Sequence, residues 1–369
     1  MLSENVRKGT TLFLCTLIHF LVDLSCVYFM SAVIRPVTVT QGSWLFRVLL
    51  YNGMAFAFPA LAGLAADLFL KKKHLWMSCA GCLLILAGYL LHRYAAAAVF
   101  LVGLGNGFFH IGGGIEVMND AGKSYAAPGI FIASGALGVF LGNTWGRQYM
   151  PLWQVFRLLM LFSAAAVALW AVVLKKTGPE ASAQSGVKNT DAPERVMKIN
   201  SRLSWFPAAL AGLFLIVWIR SYYGSIQMYS WKNTFTVGLL FTLCVMGGKA
   251  SGGLLADRIG LEKAAAVSLG AAAVTALFSM NSAVFGCISI FFFNMTMPLT
   301  LSLLTALLPS LPGFAFGLLM LALFLGILPT LVWNVHWLFS GPGMALLCVI
   351  SLAVLLWAAV RMRKEGEAS

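Results

Sequence analysis

The chain has 369 residues, of which 60% are hydrophobic and only 10% charged, and its formal net charge is +13. Soluble domains carry roughly 25% charged residues, so this composition excludes an ordinary soluble domain. The basic residues fall in short clusters between apolar runs and build no continuous basic face, which excludes a nucleic-acid surface.

A bilayer span needs about 20 apolar residues. On that rule the sequence predicts an all-α integral membrane protein with twelve spans: 10–34, 44–67, 75–92, 95–118, 126–146, 152–174, 205–229, 233–256, 263–280, 283–307, 312–333 and 342–361. The first run is too long for a signal-peptide core, and no small-x-small cleavage site follows it, so it is read as a span. Pro59, Pro298 and Pro329 lie inside spans and are candidate kinks. Residues 175–204 are polar, with Gly178, Pro179 and Pro193 among them, and read as a hydrated linker. The expected domains are therefore a six-helix half at 1–174, the linker at 175–204, and a second six-helix half at 205–369. All seven cysteines sit in apolar stretches, and Cys79-x-x-Cys82 lacks a second ligand pair, so packing roles are expected.

Charge bias orients the bundle. With the N-terminus inside, about 17 Lys and Arg flank the cytoplasmic ends against about 5 on the opposite side, which places both termini in the cytoplasm.

The two halves echo one another. Ala62-Gly63-Leu64-Ala65-Ala66-Asp67 closes the second span, and Gly252-Gly253-Leu254-Leu255-Ala256-Asp257 closes the eighth, followed by Arg258-Ile259-Gly260. Phe108-Phe109-His110 in span four pairs with Phe292-Phe293-Asn294 in span ten. A parallel duplication is expected. The GGLLADRIG segment, residues 252–260, resembles the loop motif of the major facilitator superfamily, and the resemblance covers nearly the whole chain. The first copy has Leu68 and Leu70 where the family has Arg and Gly, leaving the family's cytoplasmic latch without its usual residues in that half. Within the superfamily, His19-Phe20 with Asp23, Gly105-x-Gly107-x-Phe109-His110 and Arg220-Ser221-Tyr222 resemble the fosmidomycin-resistance group of bacterial exporters. That group continues His-Pro in span four; here Ile111 follows. The resemblance implies export of a small organic compound by a proton-driven antiporter of the bacterial inner membrane.

Charged residues inside spans cost roughly 2.5–3.5 kcal/mol on insertion scales and usually face a protein interior or water. His19 and Asp23 lie one turn apart on one helix face, which suits a proton-binding unit and equally a structural hydrogen bond. His110 shares a face with Asn106 and is a second proton or substrate contact. Arg220, with Tyr223 and Gln227 on its face, keeps its proton and needs an anion, either Asp23 across the interface or an acidic substrate. Asn294 is the repeat counterpart of His110. Asp23, Asn106, His110, Arg220, Tyr223, Gln227 and Asn294 are thus the candidate substrate contacts. Lys249 either neutralises a substrate or reaches cytoplasmic water. Asp67 and Asp257 are expected at the N-termini of neighbouring helices, where the dipole suits a carboxylate. With Lys249, Arg258 and Gly260 they are the candidate gating residues. Glycines 135, 138 and 142 are expected to form a small-residue strip pairing span five with span four.

There is no Walker A motif and no H-E-x-x-H, so neither ATP hydrolysis nor zinc-dependent hydrolysis is indicated. No cofactor, metal or catalytic residue is expected. The resulting expectation is a monomeric, proton-coupled secondary transporter whose partners are a small solute, protons and lipid. An uptake carrier for an anionic metabolite and a non-transporting sensor remain the alternatives.

Overall fold

The computed structural model describes residues 3–70, 73–122, 124–177 and 204–368. Most of the expected linker, 178–203, lies outside the described residues. Among the described residues, ten helices are long and apolar enough to cross a membrane. We label them with two shorter ones in chain order: α1 Glu4–Ile34, α2 Gln41–Leu70, α3 His74–Leu90, α4 Ala95–Ala121, α5 Ala126–Arg147, α6 Trp153–Thr177, α7 Phe206–Ser225, α8 Phe235–Ile259, α9 Leu261–Ala276, α10 Ala283–Leu307, α11 Pro312–Val332 and α12 Gly341–Ala368. Only helices satisfy every backbone group inside a bilayer, and among the described residues no strand occurs. The chain is an all-helical, multi-pass membrane protein.

Prolines place the irregular turns. In α2 a π-helical turn over Gly53–Ala57 precedes Pro59, and Phe58 N–H donates to the Gly53 carbonyl five residues back at 2.8 Å. In α10 Pro298 has no N–H for the Asn294 carbonyl, and the helix is interrupted at Met295 between Asn294 and Thr296.

Packing follows a two-fold scheme. In the first half α1 packs on α5, α3 on α4 and α3 on α6; in the second, α7 packs on α11, α9 on α10 and α9 on α12. Advancing each helix number by six maps one set onto the other. The same operation relates the contacts that join the halves, α2 with α11 to α8 with α5, and α4 with α11 to α10 with α5. The architecture is two pseudo-symmetric six-helix halves.

Glycine sets how closely the halves approach. A Cβ on Gly63 of α2 would overlap the Gly313 carbonyl of α11, and a Cβ on Gly253 of α8 would overlap the Tyr125 carbonyl at the start of α5. Gly63→Leu is therefore expected to force α2 from α11, at a cost of about 1–3 kcal/mol. A melting temperature of the solubilised variant equal to that of the wild type would contradict this close fit.

One expected pairing is corrected. The α5 glycines do not face α4. Gly138 lies against the Phe20 carbonyl and Leu24 N–H of α1, Gly142 against the Leu24 carbonyl, and Gly146 against Ser31. The α4 glycines serve other neighbours: Gly103 and Gly107 meet α2 at Tyr51 and Met54, and Gly105 and Gly112 meet α3 at Gly81 and His74. The small-residue strip brings α1, the helix of His19 and Asp23, against α5.

Candidate functional site

A cavity of about 900 Å³ lies between the halves. Its deep end is formed by His19, Asp23 and His110 from the first half and Lys249 from the second. Val48, Asn143, Lys232 and Leu331 also line it. These residues sit at the helix ends opposite the termini, so the cavity opens towards that side.

Asp23 is the centre of the deep end. His19 Nε2 stands 3.3 Å from its Oδ2 and His110 Nε2 stands 3.7 Å from its Oδ1. Asn106 Nδ2 donates to Oδ1 at 3.1 Å and to the Tyr51 hydroxyl at 3.2 Å. The other imidazole nitrogens are committed to the backbone, His19 Nδ1 to the Phe131 carbonyl at 2.8 Å and His110 Nδ1 to the Asn106 carbonyl at 2.9 Å. The two rings meet edge to face with centroids 4.5 Å apart. Gly135 permits this arrangement, because a Cβ there would lie 2.7 Å from His19 Nε2 and overlap Asp23 Oδ2.

Hydrogen-bond accounting constrains the imidazole tautomers. A carbonyl only accepts, so both Nδ1 atoms carry hydrogen. If both rings were neutral and Asp23 ionised, two Nε2 lone pairs would face a carboxylate. A proton held on Asp23, His19 or His110 would relieve that opposition. Their donor atoms lie within 4.8 Å of one another, a spacing that a divalent cation could also use. The amide N–H on Oδ1 and the nearby Lys249 ammonium favour a proton over a dication.

The charge facing Asp23 from the second half is Lys249. Its Nζ donates to the Ile132 carbonyl of α5 at 3.4 Å, and it interacts electrostatically with Asp23. Lys249 lines the cavity and does not extend to the water beyond the helix end. The expected pairing of Asp23 with Arg220 is not what the structure contains. Arg220 is 5% exposed, and its Nη2 donates to Thr296 Oγ1 at 2.6 Å and Thr300 Oγ1 at 3.2 Å.

The remaining candidates divide by place. Tyr223 is buried, stacked on Phe293 at 4.0 Å, with its hydroxyl 2.9 Å from Ser289 Oγ. Gln227 is buried, and Asn294 donates to the Ile290 carbonyl at 2.9 Å. None of these three lines the cavity. At the opposite end of the bundle, Asp67 accepts from Gly313 N–H at 2.9 Å and Phe314 N–H at 2.8 Å, in the first turn of α11. Asp257 accepts from Tyr125 N–H at 2.7 Å, Ala126 N–H at 3.2 Å and the Ser124 hydroxyl at 2.8 Å, at the start of α5. Both aspartates thus sit at helix N-termini, as the dipole argument expects, and both bonds cross between halves. Arg258 is exposed, and Gly260 ends α8 at φ 85°, a conformation that favours glycine.

Sequence reasoning missed Lys232 at the cavity mouth and the Thr296 and Thr300 hydroxyls, and it set Gly135 against span four where it meets His19 and Asp23. The threonine pair had a signal: two hydroxyls four residues apart beside a proline inside a span.

No protein-family model matches the chain, and no curated protein matches it. Solved structures do. One is a point variant of the E. coli fucose:proton symporter, with a TM-score of 0.62 and 13% identity over 96% of this chain and 98% of that one. Another is a Major Facilitator Superfamily transporter, FucP, in the outward conformation, with a TM-score of 0.61 and 15% identity over 94% and 99%. A third is a bacterial homologue of the iron transporter ferroportin in the outward-facing state, with a TM-score of 0.62 and 16% identity over 97% and 99%. The chain has the major-facilitator fold. In that fold the cavity occupies the space between the two halves, and the Asp67 and Asp257 contacts close the end where the termini lie.

Proposed function

We propose that the protein is a proton-coupled secondary transporter that moves a small organic solute across the cytoplasmic membrane by alternating access, exporting it in exchange for protons. The observation that carries this reading is the cluster of His19, Asp23 and His110 in the wall of a cavity between the halves. A transporter couples a proton to solute when the proton's affinity differs between two conformations. Here the charge of the cluster governs its attraction for Lys249 across the halves. With one shared proton the cluster is neutral. Without it the cluster is negative and draws Lys249 inward. The charged and titratable groups at the cluster are His19, Asp23 and Cys26 on α1, Tyr51 on α2, His110 on α4 and Lys249 on α8; α5 contributes backbone carbonyls, Gly135 and the Phe131 ring, 4.7 Å from that of His19.

In this reading Asp23, Asn106 and His110 contact both proton and solute, and Arg220, Tyr223, Gln227 and Asn294 form a second shelf reached as the halves rock. Asp67 and Asp257 hold the terminal end shut, with Lys249, Arg258 and Gly260 at the hinge between α8 and α5. That end faces the cytoplasm, as the clustered Lys and Arg require. The protein works as a monomer in lipid.

The test is flux. Purified protein in proteoliposomes is expected to drive uphill movement of a solute from a metabolite and drug panel when an acid gradient is imposed, with the solute leaving the less acidic side. Movement of solute with the proton would reverse the direction and make the protein an uptake carrier. A panel with no substrate, together with no proton leak on adding any solute, would leave a sensor as the better description.

A further inference from the structure

One buried cation of the second half is left short of partners. Arg220 is 95% buried, yet its Nε and Nη1 have no hydrogen-bond partner. Its only acceptors are the hydroxyls of Thr296 and Thr300, both bound through Nη2. Those hydroxyls are themselves oriented. Thr296 Oγ1 donates to the Phe293 carbonyl and Thr300 Oγ1 to the Thr296 carbonyl, each at 2.8 Å. Their lone pairs have no choice but to face the guanidinium. The result is a fixed guanidinium whose remaining N–H groups point at nothing that can accept them. A buried cation without an anion is costly, and its unmade hydrogen bonds add to that cost.

The guanidinium is one side-chain layer from the cavity. Gly224, one turn after Arg220 on α7, lines it. So do Met297 and Leu301, each the residue following one of the two threonines. The chemistry of the wall limits what could bring an anion there. Around the few polar groups the cavity is surfaced by aliphatic and aromatic residues such as Val139, Phe140, Phe241, Leu319 and Leu323. A polyol would leave most of its hydroxyls without partners on such a surface.

We infer that Arg220, Thr296 and Thr300 form an anion-binding subsite behind the Met297–Leu301 wall, which takes the carboxylate head of an amphipathic cargo whose apolar body fills the cavity. The inference rests on the transporter reading for its word cargo, and on the second half's geometry for the rest. A swing of the Met297 thioether joins the subsite to the cavity, and the carboxylate then accepts from Nε and Nη1.

The experiment is equilibrium binding to the full-length protein in lipid nanodiscs, by titration calorimetry, with indole-3-acetate against the near-isosteric neutral indole-3-acetamide. The wild type is expected to favour the carboxylate by about tenfold or more, the worth of hydrogen bonds to a charged group. Arg220→Gln is expected to lose that preference while binding the amide unchanged. Arg220→Lys, which keeps the charge but not the fork, is expected to retain part of it, and serves where the glutamine variant does not fold. The inference is overturned by a wild type that binds neither probe or does not discriminate, by Arg220 variants that discriminate as the wild type does, or by a preference that disappears in Lys249→Gln alone. Because binding is measured without a gradient, carboxylate recognition at Arg220 in a protein that moves no solute defeats the transporter reading and leaves this one standing. Proton-driven flux with Arg220→Gln indifferent to the probes does the reverse.

Discussion

Asp23→Asn is expected to cut proton-driven accumulation far more than it cuts solute exchange. The asparagine keeps the size of the side chain and can still accept from Asn106, but it cannot take or release a proton. The Nε2 atoms of His19 and His110 then face an amide, and the negative charge that attracts Lys249 is absent at every pH. Coupling between two ligands is typically worth 1–3 kcal/mol, so the gradient-driven rate should fall by about 10- to 100-fold. Exchange of labelled for unlabelled solute at equal pH needs no coupling proton, so it should fall by less than the gradient-driven rate, by the weakening of one solute contact only. The comparison is made in one batch of proteoliposomes with both assays. Equal loss in both would mean that Asp23 holds the helices together and does not carry the coupling proton. No loss in either would move the coupling site elsewhere.

How much of this could be read from the sequence follows from the range of each interaction. Spans are set by about 20 consecutive apolar residues, and the twelve expected spans correspond to the twelve helices, with α1 longer and α3 and α9 shorter than expected. The pair of His19 and Asp23 was legible because a helix itself brings residues four apart together. His110 joined them through its repeat position and its burial among glycines. What could not be read was which helix faces which. Arg220 and Asp23 lie in equivalent helices of the two halves, and equivalence suggested that they meet. The rotation of α7 instead turns Arg220 towards α10, where two threonines receive it, and α8 supplies Lys249. The glycines of α5 failed as a guide for the same reason. A small-residue stripe says that a neighbour comes close and does not say which one.

The second large effect lies at the closed end. Asp67 and Asp257 each tie their own half to the other through two backbone N–H groups in the first turn of a helix, and Asp257 adds the Ser124 hydroxyl. The first copy of the repeat has lost its arginine and glycine to Leu68 and Leu70, yet its carboxylate makes the same kind of contact, since only the acceptor and the helix end are needed. A hydrogen bond to a charged group is worth about 1.5–3 kcal/mol, so replacing both carboxylates in the Asp67→Asn, Asp257→Asn protein should weaken this closure by about 3–6 kcal/mol. Moving a two-state equilibrium from 1:99 to 99:1 takes about 5.5 kcal/mol, which puts the double variant within reach of inversion and either single variant short of it. Spin labels on α2 and α11 near the Asp67 contact report the separation of the halves by electron–electron resonance. The double variant should show a second, longer distance as a major population, and each single variant a minor one. The tie is pseudo-symmetric, so the two single variants should shift the distribution by similar amounts. A double variant with the wild-type distribution would mean that the glycine contacts at Gly63 and Gly253 close this end by packing alone.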